Sequence, residues 1–77
     1  MEKDLIEYIA KSLVEDPSSV KVNAVDGEKS MILELEVAPD DIGKVIGKHG
    51  RIAKAIRTLL QAAAMKSEKH VVLEILD

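Results

Sequence analysis

The stretch "VIGKHGRIAKAIR", residues 45 to 57, sets the reading of the whole chain. Gly47 and Gly50 bracket Lys48 and His49, apolar residues flank both glycines, and every charge is positive. The chain around it is acidic, with 14 Asp and Glu against 11 Lys and Arg. Residues 42–66 carry Lys44, Lys48, Arg51, Lys54, Arg57 and Lys66 and no acid. All the carboxylates therefore lie outside this one segment. Exposed charges are screened beyond about 8 Å at physiological salt, so local charge governs contact and the net −3 does not.

Glycine tolerates positive φ and lets other backbone approach closely. A Gly-x-x-Gly turn ahead of a helix also aims free N–H groups, with the positive end of the helix dipole, at whatever occupies the turn. Phosphate suits such a place, and Lys48 and His49 add charge at its tip. On the glycines alone, a plain turn between two helices would serve. Arg51, Lys54 and Arg57 at three-residue spacing, and the exclusion of acid, favour an anion site. His49 is either simply exposed or a phosphate contact that strengthens on protonation.

Working outward, residues 2–15 have helical periodicity: Leu5, Ile6, Ile9, Ala10, Leu13 and Val14 oppose Glu2, Lys3, Glu7, Lys11 and Glu15. Asp16-Pro17 ends that helix. Val20, Val22 and Ala24 alternate as a strand, and Asp26-Gly27 marks a turn. Residues 31–37 alternate as a second strand, close enough for an antiparallel hairpin. Pro39 suits the first position of a helix, with Asp40 and Asp41 complementing its dipole. Ile42, Val45 and Ile46 give that short helix an apolar face, and Gly47 ends it. A longer helix follows Gly50, with Ile52, Ile56, Leu59, Leu60 and Ala63 inward, running to about Lys66. Val71, Leu73 and Ile75 form a third strand. The order α-β-β-α-α-β predicts one α+β domain over 1–77, a three-stranded sheet with helices packed on one face.

The chain has no cysteine, Phe or Trp, and Tyr8 is its one aromatic. Neither disulfides nor thiolate metal sites are available. His49 and His70 are too far apart in sequence to suggest a metal, and no cofactor is expected. RRM and OB-type modules, which stack bases on aromatics, do not fit this composition. "GKVIGKH" (43–49) has three residues between its glycines and no Ser or Thr after the Lys, unlike a P-loop. No Ser-His-Asp or Cys-His set stands out, so an enzyme is not expected. No apolar run approaches the ~20 residues of a membrane span, and a cytoplasmic protein is expected.

"IGKVIGKHGRIAKAIRTLL" (42–60) resembles the signature of the KH domain, and the element order matches type II. A free-standing domain of this length is similar to the small bacterial KhpA-type RNA-binding proteins. The resemblance implies a clamp for single-stranded RNA, or single-stranded DNA, over about four nucleotides. The backbone would pass over Gly47, Lys48, His49 and Gly50. Lys44, Arg51, Lys54 and Arg57 would add charge. Bases would rest in an aliphatic groove drawn from Ile42, Val45, Ile46, Ile52 and Ala53, with Leu35 or Val37 of the second strand. It also implies a post-transcriptional role, RNA chaperoning linked to cell elongation and division. As partners it implies a second copy of the chain, or a larger KhpB (Jag)-type KH protein in a heterodimer. The apolar "TLLQAAAMK" (58–66) would suit that alternative function as a protein-interaction adapter.

Overall fold

A computed structural model describes residues 2–65 and 69–76. The elements are α1 (Glu2–Leu13), β1 (Lys21–Asp26), β2 (Ser30–Glu36), α2 (Ile42–Ile46), α3 (Arg51–Ala64) and β3 (His70–Ile75). Short 3-10 turns cover Pro17–Ser19, Pro39–Asp41 and Lys48–Gly50. The order is the one expected. The end of the long helix near Lys66 falls outside the described residues.

The sheet order is β1-β2-β3. β1 runs antiparallel to β2, and Gly27 N–H donates to Ser30 O across the hairpin turn at 2.8 Å. β3 runs parallel to β2, with Leu33 beside Leu73 and Glu34 beside Glu74. A parallel return needs a crossover connection, which the α2–α3 pair supplies. Strand side chains alternate between faces. Val20, Leu33, Leu35, Val71 and Leu73 are buried beneath the helices, and Ile6, Ala10, Val45, Ile56 and Leu60 meet them from above. Each large aliphatic chain buried there contributes roughly 1.5–3 kcal/mol. A core without aromatics depends on several of them together.

Two boundaries differ from the sequence reading for one physical reason. The first helix was expected to reach residue 15 and stops at Leu13. Glu15 and Asp16 instead donate their backbone N–H groups to the two carboxylate oxygens of Asp41, at 3.2 and 3.1 Å. Asp41 is correspondingly 2% exposed and makes no side-chain cap on α2. It was expected to serve the dipole of its own helix. It instead fastens the end of α1 to the start of α2, while Pro39 opens a 3-10 turn ahead of that helix.

Candidate nucleic-acid interface

The chain turns from α2 into α3 through three positive φ values: Gly47 at 77°, His49 at 60° and Gly50 at 73°. Gly47, with ψ 169°, lies in a region open to essentially glycine alone. A Cβ there would stand 2.6 Å from Ile52 Cγ1. Gly50 is left-handed too, but a Cβ on it meets nothing within 4 Å. The first glycine is thus required by conformation and packing, the second by conformation only. His49 occupies the left-handed region without glycine's freedom, which costs roughly 1–2 kcal/mol.

Backbone bonding decides which amides the turn offers. Gly47 N–H donates to Gly43 O, Gly50 N–H to Gly47 O, and Arg51 N–H to Lys48 O. Among the described residues, the N–H groups of Lys48 and His49 have no backbone acceptor. Both residues are exposed, and α3 has no side-chain cap. Donors, dipole and side-chain charge converge on one exposed tip.

The basic residues divide into three sets. Lys48, Arg51 and Lys54 are exposed and pair with no acid among the described residues. Arg57 leans away from the tip, its Nη2 donating to Leu73 O at 3.5 Å beside a cavity of about 180 Å3 that Gln61 and His70 also line. Lys44 stands apart, with its Nζ 3.2 Å from both Asp41 Oδ1 and Glu15 Oε1. The Asp41 hydrogen bond, then that of Glu15, hold the Lys44 ammonium above its ordinary value. Burial pushes the Asp41 carboxyl up, but the N–H groups of Glu15 and Asp16 and the Lys44 ammonium outweigh it and leave it below 3.8. Lys44 is therefore engaged by two carboxylates, unlike the exposed Lys48, Arg51 and Lys54.

The expected aliphatic groove is also redrawn. Val45 is 0% exposed and Ala53 4%, so neither presents surface. Leu35 is likewise fully buried. Ile46 and Ile52 are half-buried at the edge of the core. Ile42 does line an open cavity of about 400 Å3, with Val37, Pro39, Glu36 and Leu76. Leu76 was not anticipated; its place after the alternating strand is the only signal it gives.

The fold and this turn define a KH domain. A family model described as KhpA/KhpB, KH domain, matches residues 3–75. The chain is 65% identical over 74 residues to "RNA-binding protein KhpA" of Clostridium perfringens, covering 96% of this chain and 99% of that one. It is 59% identical over 76 residues to the protein of that name from Borreliella burgdorferi, covering 99% and 93%. Among solved structures it superposes on Aquifex aeolicus Era bound to GDP and AlF4−, with a TM-score of 0.68 at 20% identity, over 96% of this chain and 29% of that one. A structure of Era with MgGDPNP and nucleotides 1506–1542 of 16S ribosomal RNA gives 0.69 at 20% identity, over 96% and 28%. At that identity the likeness is one of fold. The chain belongs to the KhpA/KhpB KH-domain family.

Proposed function

We propose that this chain binds single-stranded RNA, with the phosphate backbone over Gly47-Lys48-His49-Gly50. One observation carries the reading: the N–H groups of Lys48 and His49, without a backbone acceptor among the described residues, share the uncapped start of α3 with exposed basic side chains. The relatives' shared name, RNA-binding protein KhpA, supports the choice of nucleic acid. Arg51 and Lys54 extend the phosphate track, Arg57 flanks it against β3, and Ile42, Ile46 and Ile52 offer the apolar surface. The protein acts as an RNA chaperone or post-transcriptional regulator in the cytoplasm, connected with cell elongation and division. One small groove gives micromolar binding with little base preference, and single-stranded DNA would fit more weakly where the 2′-OH is read.

The test is fluorescence anisotropy with a short single-stranded RNA. Lys48→Asp with His49→Asp abolishes binding while leaving the circular dichroism spectrum and melting curve unchanged. Wild-type RNA affinity in that folded double variant would refute the clamp.

A second reading has its own observation. Leu59, expected inward, is 54% exposed on α3, and Met65, just past its end, is 82% exposed, while Leu60 and Ala64 are buried. That apolar strip suits association with a second copy or with a larger KhpB-type KH protein, giving linked grooves and higher avidity. Sedimentation without RNA checks the homodimer: a monomer at every concentration excludes it.

A further inference from the structure

The sheet has two faces, and the site above uses neither. One is buried under the helices. The other is open, and its side chains form rows across the three strands. Val25, Ile32 and Val72 stand in register as one row. Val25 is 50% exposed, Val72 37%, and Ile32 between them is half-buried. The next row is Asn23, Glu34 and Glu74. Glu34 accepts a hydrogen bond from Asn23 Nδ2 at 3.1 Å, and Glu74 has no partner among the described residues.

Like charges directly opposite one another on neighbouring strands are destabilising. A small domain with a thin core gains nothing internally by holding Glu34 beside Glu74. The described bases on this face, Lys21 opposite Glu36 and His70 opposite Ser30, stand in other rows, not between Glu34 and Glu74, and with Glu36 counted the face keeps more acid than Lys. The pair lies directly beside an apolar row, so a cation brought there from outside would be placed against both carboxylates while its neighbour covered Val25, Ile32 and Val72.

We infer that this open face docks a basic amphipathic helix from another protein. The charge selects the class of partner: two adjacent carboxylates repel nucleic acid and anionic lipid and attract Lys or Arg. The spacing selects the shape. Rows on one face of a strand repeat about every 7 Å. Residues one helical turn apart are about 5–6 Å apart. A helix lying on the sheet sets an apolar side chain on the valine–isoleucine row and an Arg or Lys, one turn on, at the carboxylates. Docking there leaves the Gly47–Gly50 turn, which joins α2 to α3 on the helical side, open to RNA.

The test is a ¹⁵N-HSQC titration of the full chain with an 18-residue amidated peptide carrying a leucine stripe flanked by arginines. A control peptide has glutamate in place of arginine. Amides of 21–25, 30–36 and 70–75 should shift with the basic peptide only, while those of 47–50 stay in place. Glu34→Gln with Glu74→Gln, which preserves shape, should weaken the peptide at least about tenfold, and Val72→Thr should weaken it several-fold. Glu74→Gln alone should raise the melting temperature of the free protein by about 2–4 °C as the like-charge contact is relieved. Absence of shifts at millimolar peptide, or shifts confined to α3 or the Gly47–Gly50 turn, would overturn the inference. So would unchanged affinity in the double variant, or no rise in melting temperature for Glu74→Gln.

Discussion

Substituting alanine at each glycine of the turn separates two reasons for being glycine. At Gly47 the new Cβ must accept φ 77° with ψ 169°, which costs on the order of 1–3 kcal/mol. It also lies 2.6 Å from Ile52 Cγ1 and 2.9 Å from Ile52 Cβ and Cδ1. Relieving such overpacking costs a further ~1–3 kcal/mol. The combined loss, roughly 2–6 kcal/mol, is comparable to the ~3–5 kcal/mol available to a domain of this size. Gly47→Ala should therefore lose most of its stability at 25 °C. At Gly50 the Cβ enters open space at φ 73° and ψ 14°. Only the left-handed penalty remains, roughly 1–2 kcal/mol, and Gly50→Ala should stay folded. Urea unfolding followed by circular dichroism measures both, with the slope of free energy on denaturant unchanged for Gly50→Ala. Adding Ile52→Ala to Gly47→Ala removes Cγ1 and Cδ1 but not Cβ, so it should restore part of the loss. Equal losses at the two glycines, or a Gly47→Ala protein within 1 kcal/mol of wild type, would refute the reasoning.

Two further outcomes follow from the ion pairs. RNA affinity should fall about 20-fold between 50 and 200 mM salt, as expected for about three phosphate contacts at a single-strand slope of roughly −0.7 each. Lys48→Ala should reduce the slope in log salt by about 0.7, whereas Lys44→Ala should leave it unchanged, since Lys44 already pairs with Asp41 and Glu15. Urea midpoints against pH check the Asp41–Lys44 contact. The Asp41 carboxyl is depressed below 3.8, so its contribution is present above that value and is lost as pH falls through its lower folded value. The Lys44 ammonium is raised above 10.5, so its share is complete below that value and is lost only as pH rises further. Stability from this contact should be flat between those limits, and Asp41→Ala should lower the melting temperature by more than about 5 °C while flattening the acid limb.

The element order was legible because each element announced itself locally. Alternation marked β2, Asp16-Pro17 bounded α1 to within two residues of its end at Leu13, and the glycine pair separated α2 from α3. What escaped the sequence was long-range. No local pattern says that Asp41, twenty-five residues after Asp16, takes up the last amides of α1. Its place after Pro39 pointed that carboxylate at the helix dipole, and the acid-free run 42–66 counted Lys44 among the free cations. Val45 and Ala53 were placed in the groove because they flank the motif. A flank says nothing about which side of a five-residue helix meets the core. The parallel return of β3 was not read either, since alternation fixes faces and not direction. The acid pair Glu34 and Glu74 becomes visible only once β2 and β3 are in register.

The two charged surfaces should act independently in cells and not in dilute buffer. The carboxylates of Glu34 and Glu74 lie on the open sheet face, and the basic turn joins α2 to α3 on the helical side. The domain measures 35 × 23 × 18 Å. At 0.15 M salt the screening length is about 8 Å, so even the shortest dimension spans two of them. At 0.01 M it is about 30 Å, longer than that dimension. Acidic surface should then reach the RNA and weaken its attraction to the turn. Glu34→Gln with Glu74→Gln should accordingly raise RNA affinity several-fold at 10 mM salt and leave it unchanged at 150 mM, read by anisotropy at both. An equal gain at both salts would mean the carboxylates touch the RNA directly. A gain at neither would mean that the domain's shape separates its two surfaces without help from salt.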